Sequence, residues 1–170
     1  MQFNDLLNVA ETVAIVAGIA VALVQLRQFR LSRQREAALE MLRSFQTVPF
    51  VRGLRAIFAM PDGLSAEAFE QVAGERLDDV FCVFTTMESL GILVCRSEVD
   101  LDLVDDFFSG AVVLTYARSR AYLEDLRASS GRETIGEWVQ WLAERMMERE
   151  SAAPPVPAHV AHRDWKPPGR

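Results

Sequence analysis

Leu6 to Leu26, LLNVAETVAIVAGIAVALVQL, is the segment that leaves the chain fewest options, and Arg27, Arg30, Arg33 and Arg35 follow it at once. Leu, Val, Ile and Ala make up sixteen of its 21 residues. An apolar helix with arginines on one side only predicts a membrane span whose basic end lies in the cytoplasm. Its charge-free part, Thr12 to Leu26, is 15 residues long. That is about 22 Å of helix against a hydrocarbon core of roughly 30 Å. The span reading therefore needs Glu11 at the outer interface or facing a partner, and Arg27 snorkelling at the inner end. The competing reading is a buried helix in a soluble bundle. A cleaved signal peptide fits worse, because MQFNDLLNVAE carries no basic residue and the arginines come after the run. The expectation is a single-pass anchor over residues 1–26 in the inner membrane, with the N-terminus outside and a cytoplasmic body over 27–150.

Within the run, Ala14, Gly18 and Ala22 recur every four residues and share one face, with Glu11 a turn or less away. Small residues at that spacing let helices approach closely, although an alanine-rich segment also produces the spacing by chance. The partners expected from these features are anionic inner-leaflet lipid at the arginine cluster and a protein, which a second copy of the chain could be.

Charge is unevenly distributed within a net −6. Arg27 to Arg55 holds seven arginines against Glu36 and Glu40, while Asp62 to Asp106 holds twelve acids against Arg76 and Arg96. The acidic stretch argues against nucleic acid as a partner, since that needs a basic face. It reads as a solvated surface or as a docking surface for something basic. Cys82 and Cys95 lie at opposite ends of one predicted helix and read as free thiols.

Past Arg27 the helical pattern runs unbroken to about Thr47, with Ala38, Met41, Leu42 and Phe45 as its stripe, and Pro49 is expected to end it. A short helix, Val51 to Met60, meets the turn Pro61-Asp62-Gly63. Ser65 is an N-cap and Gly74 a C-terminal stop for the next helix. A long helix follows from Glu75 to about Cys95, with Leu77, Val80, Phe81, Phe84, Met87 and Gly91 on one face. Asp100 or Asp102 caps another, which Ser109-Gly110 is expected to kink or to pack closely. Thr134 and Glu137 suggest a capping box for the last helix, whose stripe is Ile135, Trp138, Val139, Leu142 and Met146. The fold class expected is all-α: the anchor running into a bundle of four to five helices, then a Pro-rich extended tail over 151–170.

Catalytic signals are sparse. The chain contains no phosphate loop, HExxH, CxxC or nucleophile elbow, and its two histidines, His159 and His162, lie in the tail. No cofactor and no metal site is expected. Glu88 stands mid-helix beside the apolar face, where a carboxylate must be paired or protonated. It reads as a structural ion pair with an arginine such as Arg118 or Arg120, or else as a functional acid. Trp165, in RDWKPP, reads as an anchor that docks on the bundle or on a partner, or as part of a disordered linker.

From Phe84 to Phe108, the helix with its internal Glu88, then Leu90-Gly91-Ile92-Leu93, a polar turn and Asp102-Leu103-Val104 leading to Phe107-Phe108, resembles a family of uncharacterised bacterial proteins. Members of that family begin with a span and a Gln/Arg-rich helix, as VALVQLRQFRLSRQR does here, and the resemblance covers about Val9 to Arg149. It implies membrane attachment and a helical cytoplasmic domain of unknown function, with no catalytic residue to carry over. The function expected is a membrane-anchored interaction module: an adaptor, regulator or accessory subunit without catalysis. The alternatives are a membrane-associated enzyme with a carboxylate/arginine site and a homo-oligomeric span assembly.

Overall fold

The computed structural model describes residues 3–167, apart from the side chains of residues 3–11, 14, 30, 31, 33–35, 37, 38 and 42. The described chain is helical and without strands. Its order is α1 (Phe3–Phe45), α2 (Val48–Ala59), α3 (Ala66–Ala73), a 3₁₀ turn (Gly74–Arg76), α4 (Leu77–Cys95), α5 (Leu101–Ser130), α6 (Glu137–Ala152) and α7 (Ala158–Ala161).

The body forms around α4. Val80, Val83, Phe84, Met87, Leu90, Gly91 and Val94 recur at spacings of three and four and are buried. Phe81, expected on that face, stands 45% exposed because the buried stripe runs through Val80, Val83 and Phe84 instead. Helices α2 and α6 both pack on α4, and each contact has a glycine where a side chain would not fit. A Cβ on Gly53 of α2 would run into the Asp79 carbonyl, and one on Gly91 of α4 would sit 2.7 Å from the Trp138 carbonyl oxygen. Helix α5 lays Val112, Thr115, Ser119 and Tyr122 against the same core. Ser119 is satisfied there by donating to the Thr115 carbonyl at 2.7 Å. Tyr122 stacks on Phe69 of α3 with centroids 4.2 Å apart. The end of α1 joins through Phe45, which stacks on Phe108 at 3.9 Å and meets Phe50 edge-on at 4.8 Å.

Helix ends explain several departures from expectation. Thr47 caps α2 by accepting the Phe50 N–H, so Pro49 lies inside the first turn of α2 instead of terminating α1. A proline is tolerated there because that turn's N–H groups have no intrahelical acceptor. Ser65 caps α3 as expected, and Asp125 of α5 adds a second acceptor, taking the Ala66 N–H at 3.0 Å. Ser109-Gly110 neither interrupts α5 nor packs closely: the helix runs through, and a Cβ on Gly110 would meet nothing within 4 Å. The Thr134/Glu137 capping box does not form. Gly136 begins α6 in the left-handed region (φ 68°), with no capping side chain of its own. The tail is not wholly extended either, since α7 forms one turn between Pro157 and His162.

The single-pass anchor is overturned, and with it the inner-membrane placement with an outer N-terminus and a cytoplasmic body. Among the described residues no helix is long and apolar enough to cross a membrane. Helix α1 is 43 residues long, so the shortfall is in apolar length, not in helix length. The charge-free stretch of about 22 Å ends at Arg27, and α1 joins the body only further on, at Met41 and Phe45.

Candidate functional site

Two features stand apart from ordinary core packing: the apolar first half of α1 and the carboxylate of Glu88. Along α1, Val13, Ile15, Val16, Ile19, Val21, Leu23, Val24 and Leu26 are all between 49% and 62% exposed. Apolar side chains point in every direction there, whereas a helix lying on a core is apolar along one stripe. Of the small-residue face, Gly18 opens onto space, with nothing within 4 Å of where a Cβ would stand, and Ala22 is exposed. The side chains of Ala14 and Glu11 lie outside the described residues, as do those of Arg30, Arg33 and Arg35. Arg27 is exposed.

Glu88 is half-buried on α4 and reaches the start of α6, where its Oε1 accepts the Val139 N–H at 2.7 Å. The Trp138 N–H also bonds to it. It therefore supplies from another helix the cap that Gly136 cannot provide. The expected ion pair with Arg118 or Arg120 is not made: Arg118 binds Asp62 at 2.7 Å and Arg120 binds Glu124 at 2.8 Å. Burial pushes the Glu88 carboxyl above its ordinary range, and the Glu137 charge adds to that. The two backbone N–H groups and Arg127 pull the other way. Arg127 completes the node: its Nε donates to the Ile135 carbonyl and its Nη1 to Gln140 Oε1, both at 2.7 Å. Nothing in the spacing of the sequence singles out Arg127.

Several carboxylates of the acidic stretch are paired within the chain, some of them at its surface. Asp62 pairs with Arg118, Asp79 with Arg76, and Asp102 and Asp105 with Arg149 of α6. Asp100 caps α5, and Glu70 accepts from the Tyr122 hydroxyl at 3.5 Å. A small apolar crevice, with an empty volume of about 230 Å³, lies where α1 meets α5, lined by Met41, Phe45, Leu90, Val104, Phe107 and Phe108. A broader groove of about 710 Å³ lies between α1 and α4 and is lined largely by Ser44, Thr85, Thr86 and Ser89. Those four hydroxyls each donate to a carbonyl of their own helix. Glu88 lines neither cavity. Trp165 is 66% exposed, so the bundle does not cover it. Among the described residues, no group of three or more His, Cys, Asp or Glu is placed to hold a metal ion.

Residues 12–146 match DUF4760, a domain of unknown function. The chain belongs to that family. The matched DUF4760 region starts inside the apolar half of α1 and ends in α6, so the exposed stretch is part of the family domain and the tail is not. No curated protein and no solved structure matches the chain.

Proposed function

We propose that this DUF4760 chain is a bacterial helical interaction module, an adaptor, regulator or accessory subunit without catalytic activity, that recruits a protein partner through the first half of α1. The observation that carries the reading is the belt of large apolar side chains from Val13 to Leu26, about half or more exposed on every side of one helix. Each such side chain left in water forgoes roughly 1.5–3 kcal/mol of burial. A contiguous exposed patch of this kind marks an interaction site. The belt lies within the family domain, which supports a role for it beyond this one chain. Use of Glu88 as a helix cap weighs against a carboxylate–arginine enzyme.

The test compares the full chain with the variant Val16→Gln/Ile19→Gln/Leu23→Gln. Light scattering on a sizing column should give the full chain, alone or with a co-purifying partner, a mass above the monomer's 19.1 kDa. The variant should fall to that mass while keeping the helical circular dichroism and melting of the body. Equal assembly by both proteins would sink the proposal.

A further inference from the structure

The broad groove between α1 and α4 has a lining whose hydrogen-bonding capacity is all of one kind. Glu40, Met41 and Ser44 form its α1 side, and Thr85, Thr86, Ser89 and Leu93 its α4 side. Each of the four hydroxyls lies against a carbonyl of its own helix. Ser44 reaches Met41 at 2.6 Å, Thr85 reaches Phe81 at 3.0 Å, Thr86 reaches Cys82 at 2.7 Å and Ser89 reaches Thr85 at 2.8 Å. A carbonyl oxygen only accepts, so in every case the hydroxyl donates and its single proton is used. What each has left for the groove is lone pairs. Glu40 adds a carboxylate that is 78% exposed, and its ion pair with Arg43 at 3.5 Å is long and solvated. Met41 and Leu93 carry no donor. Among the described residues that line the groove, none has a side-chain proton left to offer.

An acceptor-only groove cannot hold a carboxylate or a phosphate, both of which need donors. Its complement is a donor-rich cation on a slender apolar stem. We propose that the groove binds a short aliphatic diamine. Thr85, Thr86 and Ser89 fall within an arc of about 100° on α4, so three acceptors share one face. An ammonium carries three donors and no acceptor, which is what those three hydroxyls satisfy. The second ammonium pairs with Glu40 on the α1 side and displaces Arg43, while the methylenes between lie on Met41 and Leu93. The empty volume of about 710 Å³ is in the range of small-molecule sites, about 300–1,000 Å³. One lysine side chain of a docked protein would fill only a fraction of it. Packing does not account for the α4 hydroxyls: they disfavour a helix interior, and they bond to their own helix and not across to another. The site is also independent of the apolar belt, since Met41 lies 15 residues or about 22 Å beyond Leu26 along α1.

Heteronuclear NMR on the full chain tests this with matched four-carbon probes: 1,4-diaminobutane, 1,4-butanediol and succinate. About 0.15 M salt screens diffuse attraction to a chain of net charge −6. The diamine should shift the amides of residues 40–44 and 85–93 saturably, and the diol and the diacid should not. Thr85→Val/Ser89→Ala should weaken the diamine at least tenfold and Glu40→Gln at least threefold, because hydrogen bonds to a charged group are the strong ones. Circular dichroism checks that both variants fold, and the comparison of the three probes on the wild type stands even where they do not. No saturable shift with the diamine, equal shifts with the diol, or equal affinity in wild type and a folded Thr85→Val/Ser89→Ala variant would each overturn the site. So would a lysine-rich peptide that moves the same amides and binds at least tenfold tighter than the diamine, which would give the groove to the basic segment of a partner protein.

Discussion

Replacing Glu88 by alanine should loosen the start of α6 and leave the rest of the bundle in place. The carboxylate accepts the Val139 N–H at 2.7 Å and also the Trp138 N–H, and Gly136 offers no side chain to replace it. Loss of an N-cap costs about 1 kcal/mol and up to about 2. The favourable charge at a helix N-terminus adds about 0.3–1 kcal/mol, and relief of the buried charge offsets part of this. A net loss of about 1–2 kcal/mol follows, which in a chain of this size lowers Tm by roughly 3–6 °C. Glu88→Gln should cost less than about 1 kcal/mol, because the amide oxygen still accepts the N–H groups and nothing charged is buried. The pH dependence has a definite sign. The folded-state pKa of Glu88 is raised, so the folded protein binds this proton more tightly than the unfolded chain does. The stability that Glu88 contributes is therefore greatest below its unfolded pKa and declines as pH rises through the folded one. Wild type should lose ground to Glu88→Gln over that window. Thermal melts at several pH values, with hydrogen exchange at Trp138 and Val139, measure all three effects. If Glu88→Gln is as damaging as Glu88→Ala at neutral pH, the charge and its attraction to Arg127 hold the node and the cap argument fails.

Glycines within α4 and α5 should respond in opposite directions. Gly110→Ala meets open space in a helix interior and should stabilise by about 0.5–1 kcal/mol, whereas Gly91→Ala drives a Cβ into the Trp138 backbone and should destabilise by about 1–3 kcal/mol in chemical denaturation. Tyr122 predicts an alkaline limit. Burial, and then the Glu70 carboxylate, push its hydroxyl up to about 12. Its contribution is complete below the ordinary tyrosine pKa and is lost as pH rises towards 12, a decline of about 2–3 kcal/mol that Tyr122→Phe should lack in denaturant titrations across pH 9–12.

Legibility followed the range of each interaction. Ser65 as a cap, Gly74 as a stop and Asp100 as the start of α5 depend on neighbours within a few residues, and the structure has all three. Where local patterns were misleading, a distant group had intervened or the local cue admitted a second geometry. Thr134 and Glu137 have the spacing of a capping box, yet the Ile135 and Gly136 backbone is held by Arg127 and packed against Leu123, and the cap comes from Glu88. Pro49 marks a helix end as readily as a first turn. Gly110 and Gly91 look alike in sequence, and only the crossing of α4 with α6 makes one of them indispensable.

By itself the sequence determined that this chain is helical and that α1 runs from its apolar half into an arginine-rich half without a break. Those properties follow from periodicity and from the absence of strand or breaker signals, which act over a turn or two. Tertiary structure decided what each surface meets. It placed Phe45 in the core with Met41 partly buried against it, and left the large apolar side chains from Val13 to Leu26 uncovered, because the body closes on itself through α2, α4, α5 and α6. It also turned a mid-helix carboxylate into the cap of another helix. Burial and pairing across tens of residues depend on which faces come together, and no local pattern encodes that.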